Sequence, residues 1–366
     1  MHELLDQLGG IADRIKGVEG NREKLGLFLR DAKDSVELCG KGVMEKGMIT
    51  PVKTDNLSGA KIAAIDGGLS RHEYHGMDII LTRAVAAVFD YRGGKLDKAD
   101  YFPHAIVTPK ITIVSDPYSD EEFSVSSSLE RQFGEIELAG TVAQKLTPTL
   151  LLLDGSVVPH GNDRPSKTSP AWPRYVDVLG VFKRLFDNAN LLAGCIEDSR
   201  SRRFCEIIAE QVLGNIDSPA AAGLAKILAG TRDTNLLFHM LKHGERTAIF
   251  RYAKDADDHP ILSDLGEYGH RIYCFYLKTA EFDRPVRVDF YSDKEGQTLT
   301  DVADRIASLI LAVTPHGSYG FPAPLIEADF RAKLQERDAD SLHDQLVDRV
   351  GITPSLMKLR REQRPF

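Results

Sequence analysis

Two aspartates stand where buried-looking apolar runs give way to glycine. In KIAAIDGGLS the run Ile62–Ile65 leads into Asp66, and in LLLLDGSVV four leucines lead into Asp154. An aspartate before glycine at the end of a strand is often only a turn former. The recurrence of the same Asp-Gly ending points to a shared site. If the two strands are parallel neighbours, roughly 4.8 Å apart, both carboxylates emerge at one sheet edge. Two such anions repel, and one would be forced to keep its proton unless a cation lay between them. Hard oxygen donors of this kind suit Mg²⁺ or Mn²⁺, and Gly67, Gly68 and Gly155 leave room for a substrate backbone or a tight turn. The segment between the two strands offers Glu130, Glu135 and Glu137 as a third donor. Glu135 shares a face with Leu138, Ala139 and Val142 that should lean inward. Its competing reading is an exposed pair with Arg131, one helical turn away.

The elements that must position these groups follow from periodicity. Residues 3–48 read as helix, with Leu4, Leu5, Leu8, Ile11 and Ile15 in one stripe and Leu25, Phe28, Leu29, Ala32 and Val36 in a second. KIAAID, DIILTRAVAAVFDY and HAIVTPKITIVSD read as three strands of an antiparallel meander, separated by the turn-like GGLSRHEYHG and RGGKLDKAD. An acid-rich start and apolar spacing predict a helix over 119–146, ending before Pro148. TLLLLDG is then a buried parallel strand reached through that crossover helix. A Pro-rich loop, a helix from about Arg174 to Phe186 and the strand NLLAGCIED follow. Further on come the strands RTAIFRYA, RIYCFYLK and VRVDFY, a helix near 299–313 and a last helix in FPAPLIEADFRAKL.

With 366 residues, 42% of them hydrophobic, the chain can bury a large core in one elaborate domain or two. The net charge of −8 gives no global basic signature, so any polyanion must be met by a local patch. SRSRRF carries Arg200, Arg202 and Arg203, either as phosphate-facing forks or as charge balance for Glu197, Asp198 and Glu206. His72 and His75 read as hairpin surface; Trp172 could stack on a base or pack its loop down. Four scattered cysteines suggest neither a zinc site nor a disulfide framework. A charged, amphipathic N-terminus and the lack of an 18-residue apolar window point to a soluble cytoplasmic protein with no membrane span.

The chain resembles the NurA nuclease family. The resemblance rests on the strand into AIDGG, the helix with RQFGE, the strand LLLLDGS, the segment GCIEDSRSRR and the late GFPAPLIEAD, from about residue 60 to 335. It implies an α/β, RNase H-like mixed sheet: three antiparallel strands, a crossover helix and parallel strands, flanked by helices. Residues 1–55 would then be an N-terminal helical region for packing or partner contacts. The nuclease domain would span 56–336, with additional strands and helices in its C-terminal half, and 337–366 would be a helix and basic tail. Carried over position by position, the metal ligands are Asp66, Glu135 and Asp154. Where the family usually places a tyrosine and, eight positions later, a histidine, this chain has Phe321 and Asp329. Asp329 can still coordinate a metal and is similar to the fourth carboxylate of RNase H-type sites; the phenol's role is lost or moves to Tyr319. The resemblance further implies Mn²⁺- or Mg²⁺-dependent cleavage of single-stranded DNA with two ions per site, both endonucleolytic and 5′-to-3′ exonucleolytic. It also implies a homodimer working with a hexameric HerA-type translocase in DNA end resection and repair. Two alternatives stand beside it: an actin- or sugar-kinase-like ATPase, and a non-catalytic docking subunit of a DNA translocase.

Overall fold

The computed structural model describes residues 2–115, 118–216, 218–351 and 353–360. In chain order the first elements are α1 (His2–Asp31), β1 (Ile49–Pro51), β2 (Lys61–Glu73), β3 (Asp78–Arg92), β4 (Lys95–Phe102) and β5 (Lys110–Val114). Then come α2 (Asp120–Leu146), β6 (Leu150–Asp154), α3 (Trp172–Asn188), β7 (Leu192–Ile196), α4 (Arg203–Gln211), α5 (Pro219–Ala229) and α6 (Asp233–Met240). The chain continues through β8 (Glu245–Thr247), β9 (Phe250–Arg251), α7 (Pro260–Leu265), β10 (Ile272–Leu277) and β11 (Val286–Tyr291). It closes with α8 (Gly296–Ala312), α9 (Ala323–Ala332) and α10 (Glu336–Val350). The architecture is mixed α/β, with mixed sheet flanked by helices.

Contacts divide the chain into two compact units. The unit of Leu57–Gly194, Pro260–Gly269 and Ala323–Phe366 is built on the strand order β7-β6-β2-β3-β4, with β5 also pairing β3. β2 pairs β3 antiparallel along its whole length, from Lys61↔Asp90 to Glu73↔Asp78. β6 pairs β2 in parallel, from Ile62↔Leu150 to Ile65↔Leu153. That parallel step needs a crossover, and α2 supplies it. Ser119 and Glu122 close a reciprocal capping box at its start, and Thr147 turns left-handed (φ 42°) before Pro148 to end it. Leu150 to Leu153 are all buried, as are Ile62 to Ile65, so the centre of this sheet is covered on both faces. The other unit comprises Met1–Asn56, Cys195–His259 and His270–Pro322, with strand order β1-β8-β10-β11 and β9 on β10. Its core gathers Leu25, Leu29, Leu38, Met48, Phe204, Phe250 and Tyr276.

Several local expectations are corrected. The predicted helix over 3–48 stops at Asp31, and the chain turns at 32–35. Leu25 and Leu29 reach the core from the helix, whereas Leu38 and Met48 return to that same core from the irregular segment beyond it. A straight helix could not deliver both sets. GGLSRHEYHG is not a turn: β2 runs through it to Glu73, and the reversal is confined to Tyr74–Met77, where the Tyr74 N–H donates to the Met77 carbonyl at 2.9 Å. In RGGKLDKAD only Gly93 (φ 57°) and Gly94 (φ 80°) turn, as a two-residue hairpin loop requires; Lys95–Phe102 is the charged edge strand β4. The meander is therefore β2-β3-β4, and the third predicted strand shrinks to Lys110–Val114, which pairs the start of β3. RTAIFRYA divides into two short strands, β8 and β9.

Candidate active site

The register places the two aspartates side by side. Ile65↔Leu153 is the last parallel pair of β2 and β6, so Asp66 and Asp154 follow at the same level, on the same face of neighbouring strands. β6 ends there, while Asp66 lies mid-strand, paired on its other side with Val85 of β3.

Glu135 arrives from α2. A Cβ at Gly67 would fall 2.3 Å from Glu135 Oε1 and 2.5 Å from its Cγ, so the glycine is what lets this side chain lie against the strand one residue from Asp66. At Gly68 a Cβ would lie 2.0 Å from the Ala332 carbonyl oxygen, at the end of α9. That close approach seats the helix carrying Asp329 over β2. Asp329 is exposed, and its charge is felt at Asp66.

The electrostatics record the crowding. Asp66, 7% exposed, has its carboxyl raised above the ordinary range, first by burial and then by the charge of Asp329; the Gly67 N–H and Arg131 act in the opposite direction. Glu135, also 7% exposed, is pushed up to about 8 by burial, with Asp66 and Asp154 adding to the rise against Arg131. Arg131 Nη1 donates to Glu135 Oε1 at 2.6 Å. Glu135 therefore pairs with Arg131, but as a buried pair rather than the exposed one expected, and the charges of Asp66 and Asp154 reach it. Glu130 is held elsewhere, accepting from Arg174 Nε at 2.5 Å and Lys110 Nζ at 3.1 Å, and Glu137 is exposed.

Among the described residues, no group of three or more His, Cys, Asp or Glu side chains is placed so as to hold a metal ion. The chemistry of the donors nevertheless fits a divalent cation. They are hard oxygens, and burial first, then neighbouring carboxylates, raise two of them above the ordinary range even with Arg131 present.

The remaining candidates fall as follows. Arg200 and Arg202 are exposed between β7 and α4. Arg203 opens α4 and is buried, 8% exposed, with Nε lacking a hydrogen-bond partner and Nη1 3.5 Å from Glu206. Phe321 is buried, and the Tyr319 hydroxyl donates to Glu197 at 2.8 Å. His72 Nε2 lies 2.7 Å from Ser70 Oγ and His75 is exposed at the turn, in keeping with hairpin surface. Trp172 packs on Tyr175 at 5.3 Å, with Arg164 and Lys167 against its ring, so it pins its loop down. Residues 361–366 of the basic C-terminal segment lie outside the described residues. Sequence reasoning missed Asp163, whose charge acts on Arg131 from the loop after β6; no periodicity could have flagged it. No helix among the described residues is long and apolar enough to cross a membrane.

Two parallel strands that set aspartates side by side, reached through a crossover helix in a mixed sheet flanked by helices, define the α/β fold in which this candidate site sits. The NurA domain matches residues 60–334, and the chain belongs to the NurA family, a family of nucleases. The NurA nuclease from Sulfolobus solfataricus superposes with a TM-score of 0.57 at 14% identity, over 96% of this chain and 97% of that one. A NurA crystallised with manganese gives 0.52 at 10% identity over 94% and 98% of the two chains. A NurA bound to dAMP and manganese gives 0.50 at 10% identity over 96% of each. None of the curated proteins compared matches this chain. α10 lies beyond the matched domain and packs Leu342 and Leu346 on Tyr74, Ile79 and Leu81.

Proposed function

We propose that this nuclease is a divalent-metal-dependent deoxyribonuclease, cleaving single-stranded DNA endonucleolytically and from the 5′ end. Asp66, Glu135, Asp154 and Asp329 would hold Mn²⁺ or Mg²⁺, two ions per site. Bound there, such ions would supply an activated water and relieve charge on the leaving 3′-oxygen. The observation that carries this reading is the strand register that sets Asp66 beside Asp154, with the Glu135 side chain lying against Gly67 of the same strand as Asp66. A buried cluster of acids that disfavours its own ionisation is stabilised by external positive charge.

The chain's own groups have separable tasks. Asp66 and Asp154, fixed by strand pairing, form the rigid part of the site, because neither can move without breaking the register. Glu135, buried beside Gly67, would supply the third carboxylate oxygen to a bound ion. Asp329, on the exposed side of α9, stands where solvent can enter and is suited to orient water. Arg200 and Arg202, exposed and unencumbered by core packing, are the better candidates for phosphate contacts; Arg203 is buried. The manganese and dAMP held by the related NurA structures support the choice of metal and of nucleotide substrate. The exposed stripe of Leu8, Ile11, Ile15 and Val18 on α1 supports a homodimer or a contact with a HerA-type translocase. In this reading the enzyme is cytoplasmic and serves DNA end resection and repair.

A 5′-labelled single strand and a single-stranded circle test the activity together. With Mn²⁺ the label should leave as a mononucleotide and the circle should be cut, and EDTA should stop both. ATP turnover with no DNA cleavage would instead favour the kinase-like alternative.

A further inference from the structure

The cation that stands within this acidic cluster is an arginine. Arg131 leaves α2 one turn before Glu135, and its Nη1 donates to Glu135 Oε1 at 2.6 Å. Its charged form is favoured first by Glu135 and then, against burial, by Asp66 and Asp163. Three carboxylates on three elements thus act on one guanidinium. Its side chain is also 30% exposed, whereas that of Glu135 is 9% exposed. The base therefore has a path to solvent that the acid lacks. Lys110 and Arg174, the other bases bound to a glutamate of α2, are committed to Glu130.

Resting on the metal-dependent reading above, we propose that Arg131 is a displaceable counter-ion, holding Glu135 in the metal-free protein and turning to a phosphate of the DNA strand once divalent ions take the carboxylates. A divalent ion held by Asp66 and Glu135 would repel a guanidinium paired with Glu135 and lying in the field of Asp66, and the repulsion is strongest at short range in a partly buried site. The planar fork that fits a carboxylate fits phosphate oxygens equally well. A long, partly exposed side chain can make that change by rotamer alone. Metal and substrate would then bind cooperatively, each raising the other's affinity by the same factor. A strand would be gripped by Arg131 only in an enzyme able to cut it.

The test compares the affinity of wild type, Arg131→Met and Asp66→Asn for a phosphorothioate decanucleotide, in EDTA and in Ca²⁺. Wild type should gain affinity on adding Ca²⁺. Arg131→Met should match wild type in EDTA and bind about tenfold more weakly in Ca²⁺, the scale of one lost charge-assisted hydrogen bond. An equal loss in both conditions, or no loss in either, would overturn the proposal while leaving the metal site intact. No Ca²⁺ gain in wild type, with Asp66→Asn indistinguishable from it, would sink the metal-dependent reading as well. Should Arg131→Met fail to fold, a crystal of wild type with Ca²⁺ and the same oligonucleotide decides. A guanidinium on a phosphate supports the proposal, and one still on Glu135 refutes it.

Discussion

Asp66→Asn should lower Mn²⁺-dependent cleavage by about a thousandfold or more, equivalent to about 4 kcal/mol of barrier, while leaving the metal-free fold at least as heat-stable as wild type. The two halves have one cause. Asparagine keeps the shape of aspartate and can still accept the Gly67 N–H, but it carries no charge to hold a cation. In the metal-free protein that charge is a burden, since burial and Asp329 both act against it. Single-turnover cleavage of a labelled strand and a thermal melt in EDTA measure the two effects. A variant that is inactive because it is unfolded would melt early; one that is inactive because its ligand is gone would not. Near-wild-type cleavage would remove Asp66 from the chemistry.

Glu135→Gln should separate stability from activity through pH. In the folded protein Glu135 keeps its proton up to about 8, against an ordinary value of 4.5. Between those values the folded state binds more protons than the unfolded chain. The stabilisation is therefore complete below about 4.5, declines as pH rises and is lost on passing about 8. Glutamine does not ionise, and its Oε1 can still accept from Arg131. In EDTA, Glu135→Gln should melt well above wild type at pH 9 and close to it at pH 5. The same variant should have lost most of its Mn²⁺-dependent cleavage at either pH. If wild type melted higher at pH 9, the Arg131 pair would outweigh the crowding, and the cluster would have no electrostatic need of a metal.

The centre of the site was legible in the sequence because one rule generates it. Two apolar runs long enough to be buried strands, with a meander and then a returning helix between them, pair in parallel, and the aspartates that follow the two runs then meet. Asp66 and Asp154 are neighbours for that reason. The glycines after Asp66 misled for an equally physical reason. Glycine favours turns in isolation, yet here β3 continues the ladder, while Glu135 and α9 occupy the space that side chains would fill. Arg131 was visible as a helical partner of Glu135, but its burial depends on packing that no single helix encodes. The same holds for the N-terminal segment, where helical spacing persists past Asp31 although the core needs Leu38 and Met48 delivered from a returning chain. The exchange of the family's tyrosine and histidine for Phe321 and Asp329 was plain in the sequence. Its consequence is local: Asp329 acts electrostatically on Asp66, while Phe321 is simply buried.

The proposed chemistry requires that these acids bind metal in the place the strand register defines. Crystals soaked in Mn²⁺ and measured at the manganese absorption edge answer it. Anomalous density beside the Asp66 and Asp154 carboxylates, with a Glu135 oxygen turned toward it, is the expected result. Density found only at other surface acids, or none at saturating Mn²⁺, would contradict it.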